Sequence, residues 1–156
     1  METRITGDGW TTAGRTIAVP LVVDASVAVK FVVREPRSEA ARHYLEISDP
    51  LIGPDWLLIE AASALWRKVK RSELLSIHAE RNLEALPEFF ERLHPARELV
   101  GEALAWGFRL QHSVYDCLYL ALALREDCGL VTDDEEFHQV LEAGGHSGRS
   151  VLLPRT

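Results

Sequence analysis

The chain has 156 residues, 47% of them hydrophobic and 26% charged, which is the length and composition of one globular domain rather than of a disordered segment. Its net charge of −7 and its pI of about 5.4 argue against a broad electrostatic grip on nucleic acid, but they allow a local one and suit a cation site. The sequence shows no secretory signal and no apolar run near the roughly 18 residues of a membrane span.

Short apolar segments alternate with helical patterns along the chain. A strand at Leu21–Asp24 follows a proline and leads directly into a helix at Ala25–Val33. The later predicted elements are a helix within Glu35–Ile47, a strand at Leu51–Pro54, helices at Asp55–Arg71, Ser76–Leu86, Ala96–Leu110 and Val114–Glu126, a strand at Leu130–Thr132 that turns into a helix, and a last strand at Ser150–Pro154. The segment EFFERL, residues 88–93, fits either a short strand or more helix.

This alternation predicts an α/β fold, an α/β/α sandwich with a short, mostly parallel central sheet. We expect one domain over residues 19–154, preceded by a polar extension of unknown role at residues 1–18. The two cysteines, Cys117 and Cys128, lie too far apart on or near one predicted helix for a disulfide. Free thiols in a reducing cytoplasm are therefore expected.

Acidic residues stand where two predicted strands end and inside two apolar helices. Asp24 follows the first strand, and Asp133 and Asp134 follow a later one. Ligands bind beyond the carboxyl ends of strands in such sheets. Glu60 and Asp116 interrupt helices that are otherwise apolar nearly all round, where a polar side chain must point at a partner. These five acids are the candidate functional residues.

Each acid also has a structural interpretation. Asp24 is placed to cap the helix that follows it. Ser113 would be the structural partner of Asp116, at capping-box spacing, and the Thr132–Glu135 pair has the same spacing around Asp133 and Asp134. The structural partner of Glu60 would be Arg67. Several carboxylates at one sheet edge would nevertheless repel and raise one another's pKa unless a cation neutralised them. Magnesium prefers oxygen ligands and leaves positions for substrate phosphate, so the set suits metal-assisted phosphodiester hydrolysis.

Other catalytic constellations find little support. The six histidines have no HExxH spacing and the cysteines no CxxC spacing, which argues against zinc. His112 lies near Asp116 in the sequence, and a structural role is favoured for it over a catalytic one.

Four segments, VVDASVAVKF, PDWLLIEAASAL, SVYDCLYLALA and LVTDDEEF, resemble in order the four acidic motifs of PIN-domain ribonucleases, and VapC-type toxins of bacterial toxin–antitoxin pairs most of all. The resemblance spans residues 21–137. It implies that the catalytic, metal-binding acids are Asp24, Glu60, Asp116 and Asp134. The family's T-x-D pattern selects Asp134 over Asp133, which takes the variable position. Ser26 resembles the small polar residue after the first acid, and Thr132 the hydroxyl residue before the last.

The resemblance implies a PIN-like fold and a metal-dependent endoribonuclease in which Mg²⁺, or Mn²⁺, activates water and leaves a 5′-phosphate and a 3′-hydroxyl. It further implies a small cognate antitoxin and a homodimer. The apolar residues of the helix around Trp56–Trp66 fit a dimer surface and the protein core equally well. Weaker candidates for RNA contact are Lys30, Arg34 and Arg67, whereas Lys70 and Arg71 are better explained as solvated charges at a helix C-terminus.

Two other functions stay open at this point. One is a PIN-like scaffold that binds partners without cleaving RNA, which the full set of four acids disfavours. The other is a receiver-type signalling domain, which also clusters acids around Mg²⁺. That domain has no use for carboxylates at positions 60 and 116.

Overall fold

The computed structural model describes residues 10–12, 15–47 and 49–155. Within them, five strands form one parallel sheet, and two more form a separate antiparallel hairpin. The hairpin strands are β1 (Trp10–Thr12) and β2 (Arg15–Ile17), and the sheet strands are β3 (Leu21–Val23), β4 (Leu51–Pro54), β5 (Arg92–His94), β6 (Gly129–Thr132) and β7 (Ser150–Leu152). The α/β prediction is confirmed, and the central sheet is parallel throughout.

Seven α-helices connect and cover these strands in the described part of the chain. They are α1 (Ala25–Val32), α2 (Ser38–His43), α3 (Trp56–Lys70), α4 (Ser76–Ala85), α5 (Val100–Leu110), α6 (Val114–Arg125) and α7 (Glu135–Leu141). Short 3₁₀ turns at Leu86–Phe89 and Ala96–Glu98 flank β5, and a π-helical turn at Glu142–His146 follows α7. None of these helices is long and apolar enough to cross a bilayer.

The strand order β5–β4–β3–β6–β7 places β3 in the middle of the sheet. The chain builds outward from β3 to β4 and β5, and then returns to add β6 on the other side of β3. The strand order therefore reverses between β3 and β6. A crevice opens at the carboxyl ends of two strands where their connections diverge in this way, so the residues after Val23 and Thr132 meet there.

The core forms around α6 and the short strands. Seven consecutive residues of α6, from Cys117 to Ala123, are buried, and the helix packs across β3, β4 and β6. All four residues of β4 are buried as well, so both faces of the sheet are covered there, as expected for parallel strands. Cys117 and Cys128 are buried free thiols.

Three local features differ from the sequence prediction. The helix predicted over Ala96–Leu110 is two elements, because the 3₁₀ turn ends before Leu99, whose carbonyl then accepts the first bond of α5. The ambiguous segment 88–93 divides between the 3₁₀ turn and β5. The extension contains the β1–β2 hairpin, which the sequence did not predict, while residues 1–9 and 13–14 lie outside the described residues. The proposed domain boundary at residue 19 stays a prediction.

Candidate active site

A cavity of about 390 Å³ opens at the crevice between β3 and β6. Its walls come from α1, α3, α6 and the turn between β6 and α7. Its lining includes the five acids predicted from the sequence and four cations: Asp24, Glu60, Asp116, Asp133 and Asp134, with Lys30, Arg67, Lys68 and Arg71. The fold therefore brings all the candidate acids together from four separate segments of the chain.

Asp24 lies between β3 and α1, and its carboxylate accepts two hydrogen bonds. It accepts the Ser26 backbone N–H at 3.4 Å as the helix cap, and it accepts the Thr132 hydroxyl at 2.5 Å across the crevice. The residue is only 5% exposed. Burial raises the pKa of Asp24 to about 6, with the charge of Asp116 adding to it and the two hydrogen bonds opposing it.

Glu60 lies on α3 and meets Tyr119 of α6. The fully buried Tyr119 donates its hydroxyl to the Glu60 carboxylate. Burial, together with the charges of Asp24 and Asp116, raises the pKa of Glu60 to about 7, although the tyrosine hydrogen bond opposes the shift. The alternative partner, Arg67, instead donates to the Ser63 hydroxyl at 2.9 Å.

Asp116 lies in the first turn of α6, where the Ser113 hydroxyl caps the helix by accepting the Tyr115 N–H. The Asp116 carboxylate approaches His112 Nε2 at 3.0 Å. Burial and the charge of Asp134 raise the pKa of Asp116, and His112 opposes that rise. The His112 ring is itself held by stacking on Phe137, with centroids 5.3 Å apart. His112 is thus a positioning residue for Asp116.

The two acids of the β6–α7 turn have different surroundings. Asp134 caps α7 by accepting the Phe137 N–H at 2.9 Å, and its own N–H donates to the Thr132 hydroxyl at 3.0 Å. Asp133 instead pairs with Lys30 at 3.1 Å and with Arg37 at 2.8 Å. Both acids line the cavity, but ion pairs occupy the Asp133 carboxylate, whereas the charge of Asp134 acts on Asp116.

A chain of ion pairs runs along the cavity wall. Lys30, whose side chain is 8% exposed, bridges Asp133 and Glu35, and the Lys30–Glu35 distance is 2.6 Å. Lys68 binds the other oxygen of Glu35. Burial opposes ionisation of Glu35, but the two lysines hold its pKa below the usual value. These contacts also stabilise the turn that carries Asp133.

The cations predicted to contact RNA are placed differently from one another. Lys30 is buried and paired with two carboxylates, whereas Arg34 is exposed outside the cavity and Arg67 is exposed on its wall. Arg71, interpreted from the sequence as a solvated charge, also lines the cavity. Lys70 lies over the Trp66 ring instead, 6.0 Å from its centroid.

The donor atoms in the cavity are of the type that a hard divalent cation prefers. The donors are carboxylate oxygens. Burial is the main cause of the raised pKa values of Asp24 and Glu60, and the neighbouring carboxylates add to it, so a bound cation would favour their ionised forms. As the side chains stand, no three Asp, Glu, His or Cys groups among the described residues are arranged to hold an ion. Asp24 and Glu60 instead accept hydrogen bonds from Thr132 and Tyr119, and Asp116 lies 3.0 Å from His112 Nε2.

The sequence patterns did not indicate that Tyr119 contacts Glu60, and they assigned His112 no specific contact. A tyrosine in an apolar helix is indistinguishable from a core aromatic by its spacing alone. The available signal was the helical register, because Tyr119 follows Asp116 at i+3 and so lies on the same side of α6.

Comparisons with known proteins agree with this geometry. The PIN domain family model matches residues 21–142, so the chain belongs to the PIN domain family. It is 34% identical over 125 residues to Ribonuclease VapC3 of Pyrobaculum aerophilum, an alignment that covers 79% of this chain and 95% of that protein. The predicted resemblance to a PIN-domain ribonuclease of the VapC type is thereby confirmed, and the receiver-type alternative is excluded.

The fold has a counterpart among solved structures. The crystal structure of PAE2754 from Pyrobaculum aerophilum superposes with a TM-score of 0.65 at 22% identity, covering 94% of this chain and 92% of that one. At this identity the likeness concerns the fold alone.

Proposed function

We propose that this protein is the ribonuclease toxin of a toxin–antitoxin pair and that it hydrolyses RNA phosphodiester bonds with the help of Mg²⁺ or Mn²⁺. One observation carries the proposal. Four carboxylates from separate elements, Asp24, Glu60, Asp116 and Asp134, line one cavity together with exposed cations. Clustered carboxylates repel one another and destabilise the fold unless a cation neutralises their charge. The relative VapC3 is named a ribonuclease.

Asp24, Glu60, Asp116 and Asp134 would hold one or two ions. A bound divalent ion lowers the pKa of a water molecule and neutralises charge on the phosphate. The other residues orient these acids: the Thr132 hydroxyl holds Asp24, the Tyr119 hydroxyl holds Glu60 and His112 holds Asp116. Ser26 supports the same site from α1, since its hydroxyl accepts the Asp133 N–H at 3.0 Å.

The cationic wall supplies the substrate-binding half of the site. Arg67 and Arg71 lie on α3 beyond Glu60 and line the same cavity. Exposed guanidinium groups bind phosphate with two parallel hydrogen bonds. They therefore give an acidic protein a local grip on the RNA backbone, which its overall charge does not provide.

RNA cleavage by the purified protein tests this proposal. We expect a structured, mixed-sequence RNA to be cut in Mg²⁺ or Mn²⁺ and to stay intact in EDTA, with a 5′-phosphate and a 3′-hydroxyl at each new end. Metal-independent cleavage, or products with 2′,3′-cyclic phosphates, would contradict the metal–water mechanism. Metal binding without cleavage of any RNA would favour the non-catalytic scaffold.

We further propose a small antitoxin protein as the cognate inhibitor, a homodimer as the assembly and the cytoplasm as the location. The VapC-type family supports the first. Exposed apolar side chains on α3, Ile59 at 56% and Trp66 at 61%, support the second, because such residues together mark interaction surfaces. The two buried free thiols support a reducing compartment.

A further inference from the structure

Trp56 continues the face of α3 that lines the cavity, and it stacks on Tyr115 of α6. Residues at positions 60, 64, 67 and 71 line the cavity, and a spacing of three or four residues places them on one stripe of the helix. Trp56 precedes Glu60 by four residues, so it is the next member of that stripe. Along α3 the order is therefore aromatic ring, acid and cations.

Trp56 does not stand alone at this end of the stripe. Its ring stacks on Tyr115 with centroids 5.0 Å apart and planes inclined by 8°. Tyr115 directly precedes Asp116 in the chain and is 56% exposed. The pair thus links the elements that carry two of the cavity acids, and it presents an aromatic surface to solvent beside them.

Packing against the core distinguishes this pair from an isolated aromatic side chain on the surface. Trp56 packs against the hydrophobic core, and its indole nitrogen is buried with no hydrogen-bond partner among the described residues. The Tyr115 ring therefore lies nearly parallel on an indole that the core supports. A ring held in this way stacks on a planar ligand with little loss of conformational entropy.

We infer that Trp56 and Tyr115 form a stacking platform for one nucleobase of single-stranded RNA, next to the phosphate that is cleaved. The inference rests on the proposed ribonuclease function. Bases exposed in single-stranded RNA stack on aromatic side chains, and each such contact strengthens binding severalfold or more. With the base held at the aromatic end, the backbone runs over the acids towards Arg67 and Arg71.

The test compares Tyr115→Ala, Tyr115→Phe and the wild-type protein. Phe108→Ala serves as the matched control, since Phe108 is a 69% exposed aromatic on α5. A randomised 40-nucleotide single-stranded RNA pool is cut in Mg²⁺, the new ends are sequenced, and kcat and KM are then measured on the sequence that the wild-type protein cuts best. Thermal unfolding and mass in solution are recorded for every variant.

We expect Tyr115→Ala to raise KM about 5- to 100-fold with kcat changed by less than about threefold. It should also flatten the base preference at one fixed position beside the cut. Tyr115→Phe and Phe108→Ala should behave like the wild-type protein, since phenylalanine keeps the ring.

Three results would overturn the inference, and they differ from one another. Wild-type kinetics and base preference in Tyr115→Ala would remove the platform and leave the ribonuclease function intact. Equal losses in Tyr115→Ala and Phe108→Ala, or a change of oligomeric state in the former, would assign the pair to structure or to an interface. Absence of cleavage by the wild-type protein would remove the proposed function itself, and the platform with it.

Discussion

Each of the four proposed metal ligands has a different polar neighbour. The four pairs are Asp24 with the Thr132 hydroxyl, Glu60 with the Tyr119 hydroxyl, Asp116 with His112, and Asp134 with the Phe137 N–H. Two of these acids do cap helices. Capping a helix therefore does not prevent these acids from acting as the proposed metal ligands, because one carboxylate has lone pairs for both.

Removing the Tyr119 hydroxyl should move the pH dependence of the enzyme. Tyr119→Phe takes away a hydrogen bond that favours the Glu60 carboxylate, so the pKa of Glu60 rises further above about 7. The acid limb of kcat/KM in Mg²⁺ should shift upward by roughly one pH unit. The comparison uses Tyr44→Phe, since Tyr44 does not line the cavity. An unchanged acid limb in Tyr119→Phe would mean that Glu60 does not act as a carboxylate in the reaction.

The doubled acid of the β6–α7 turn allows a paired test. Asp134→Asn should lower cleavage by at least about 100-fold, because Asp134 is the proposed ligand. Asp133→Asn should keep cleavage within about tenfold but destabilise the protein by about 1–3 kcal/mol, since Lys30 and Arg37 lose a charged partner. Initial cleavage rates and urea unfolding measure the two effects. The opposite ranking of the two variants would move the fourth ligand to Asp133.

At the scale of elements, strands and helices that carry the acids were predictable. Leu51–Pro54 agrees with β4 residue for residue, and the first strand differs from β3 only at Asp24. A β-branched run after a proline predicts a strand, and a helical pattern without turn residues predicts a helix. Both patterns are local in the sequence, so these elements could be predicted without knowledge of distant contacts. They placed Glu60 on α3 and Asp116 on α6, and they put Asp24 and Asp134 where a strand gives way to a helix.

Features that depend on distant segments were not predictable. Only the end of segment 88–93 joins β5, because β4 offers Arg92 and Leu93 a partner edge at Ile52 and Gly53. The pairing of Lys30 with Asp133 joins residues about a hundred positions apart, and nothing local in either segment indicates it. Lys30 therefore resembled an RNA contact in the sequence, although the fold buries it between two carboxylates.

The exposed side of α3 is the proposed contact between two copies. Trp66→Lys should convert a homodimer of about 35 kDa into a monomer of 17.5 kDa, because a lysine there opposes burial of an apolar face. Light scattering after size exclusion measures the mass. Leu75→Lys is the control, since Leu75 is 64% exposed just before α4. Dissociation by the Leu75 variant but not by the Trp66 variant would place the interface elsewhere.

At the scale of the whole molecule, the acids couple stability to pH. Burial raises the pKa of Asp24 to about 6 and of Glu60 to about 7. From about pH 4 to pH 7, the native state therefore keeps protons that the unfolded chain has already released. The free energy of unfolding of the metal-free protein must fall as pH rises through this range, in proportion to those protons.

Urea unfolding in EDTA at pH 5 and pH 8 measures this coupling. Between these two pH values Asp24 alone, fully buried, contributes roughly 1–1.5 kcal/mol to the fall. Saturating Mg²⁺ should restore stability at pH 8 and have little effect at pH 5, since an ion binds the ionised acids. Equal stabilisation by Mg²⁺ at both pH values would show that the ion binds somewhere other than these acids.

The most direct test of the central claim is metal-dependent RNA cleavage by Asp116→Asn beside Asp127→Asn. Asp116 lines the cavity, whereas the Asp127 side chain is 90% exposed outside it and pairs with Arg149. We predict that Asp116→Asn stays folded, is slightly more stable without metal as repulsion is relieved, and loses cleavage by at least about 100-fold. Asp127→Asn should cleave at the wild-type rate. Equal cleavage by the two variants would show that the acidic cavity is not the catalytic site.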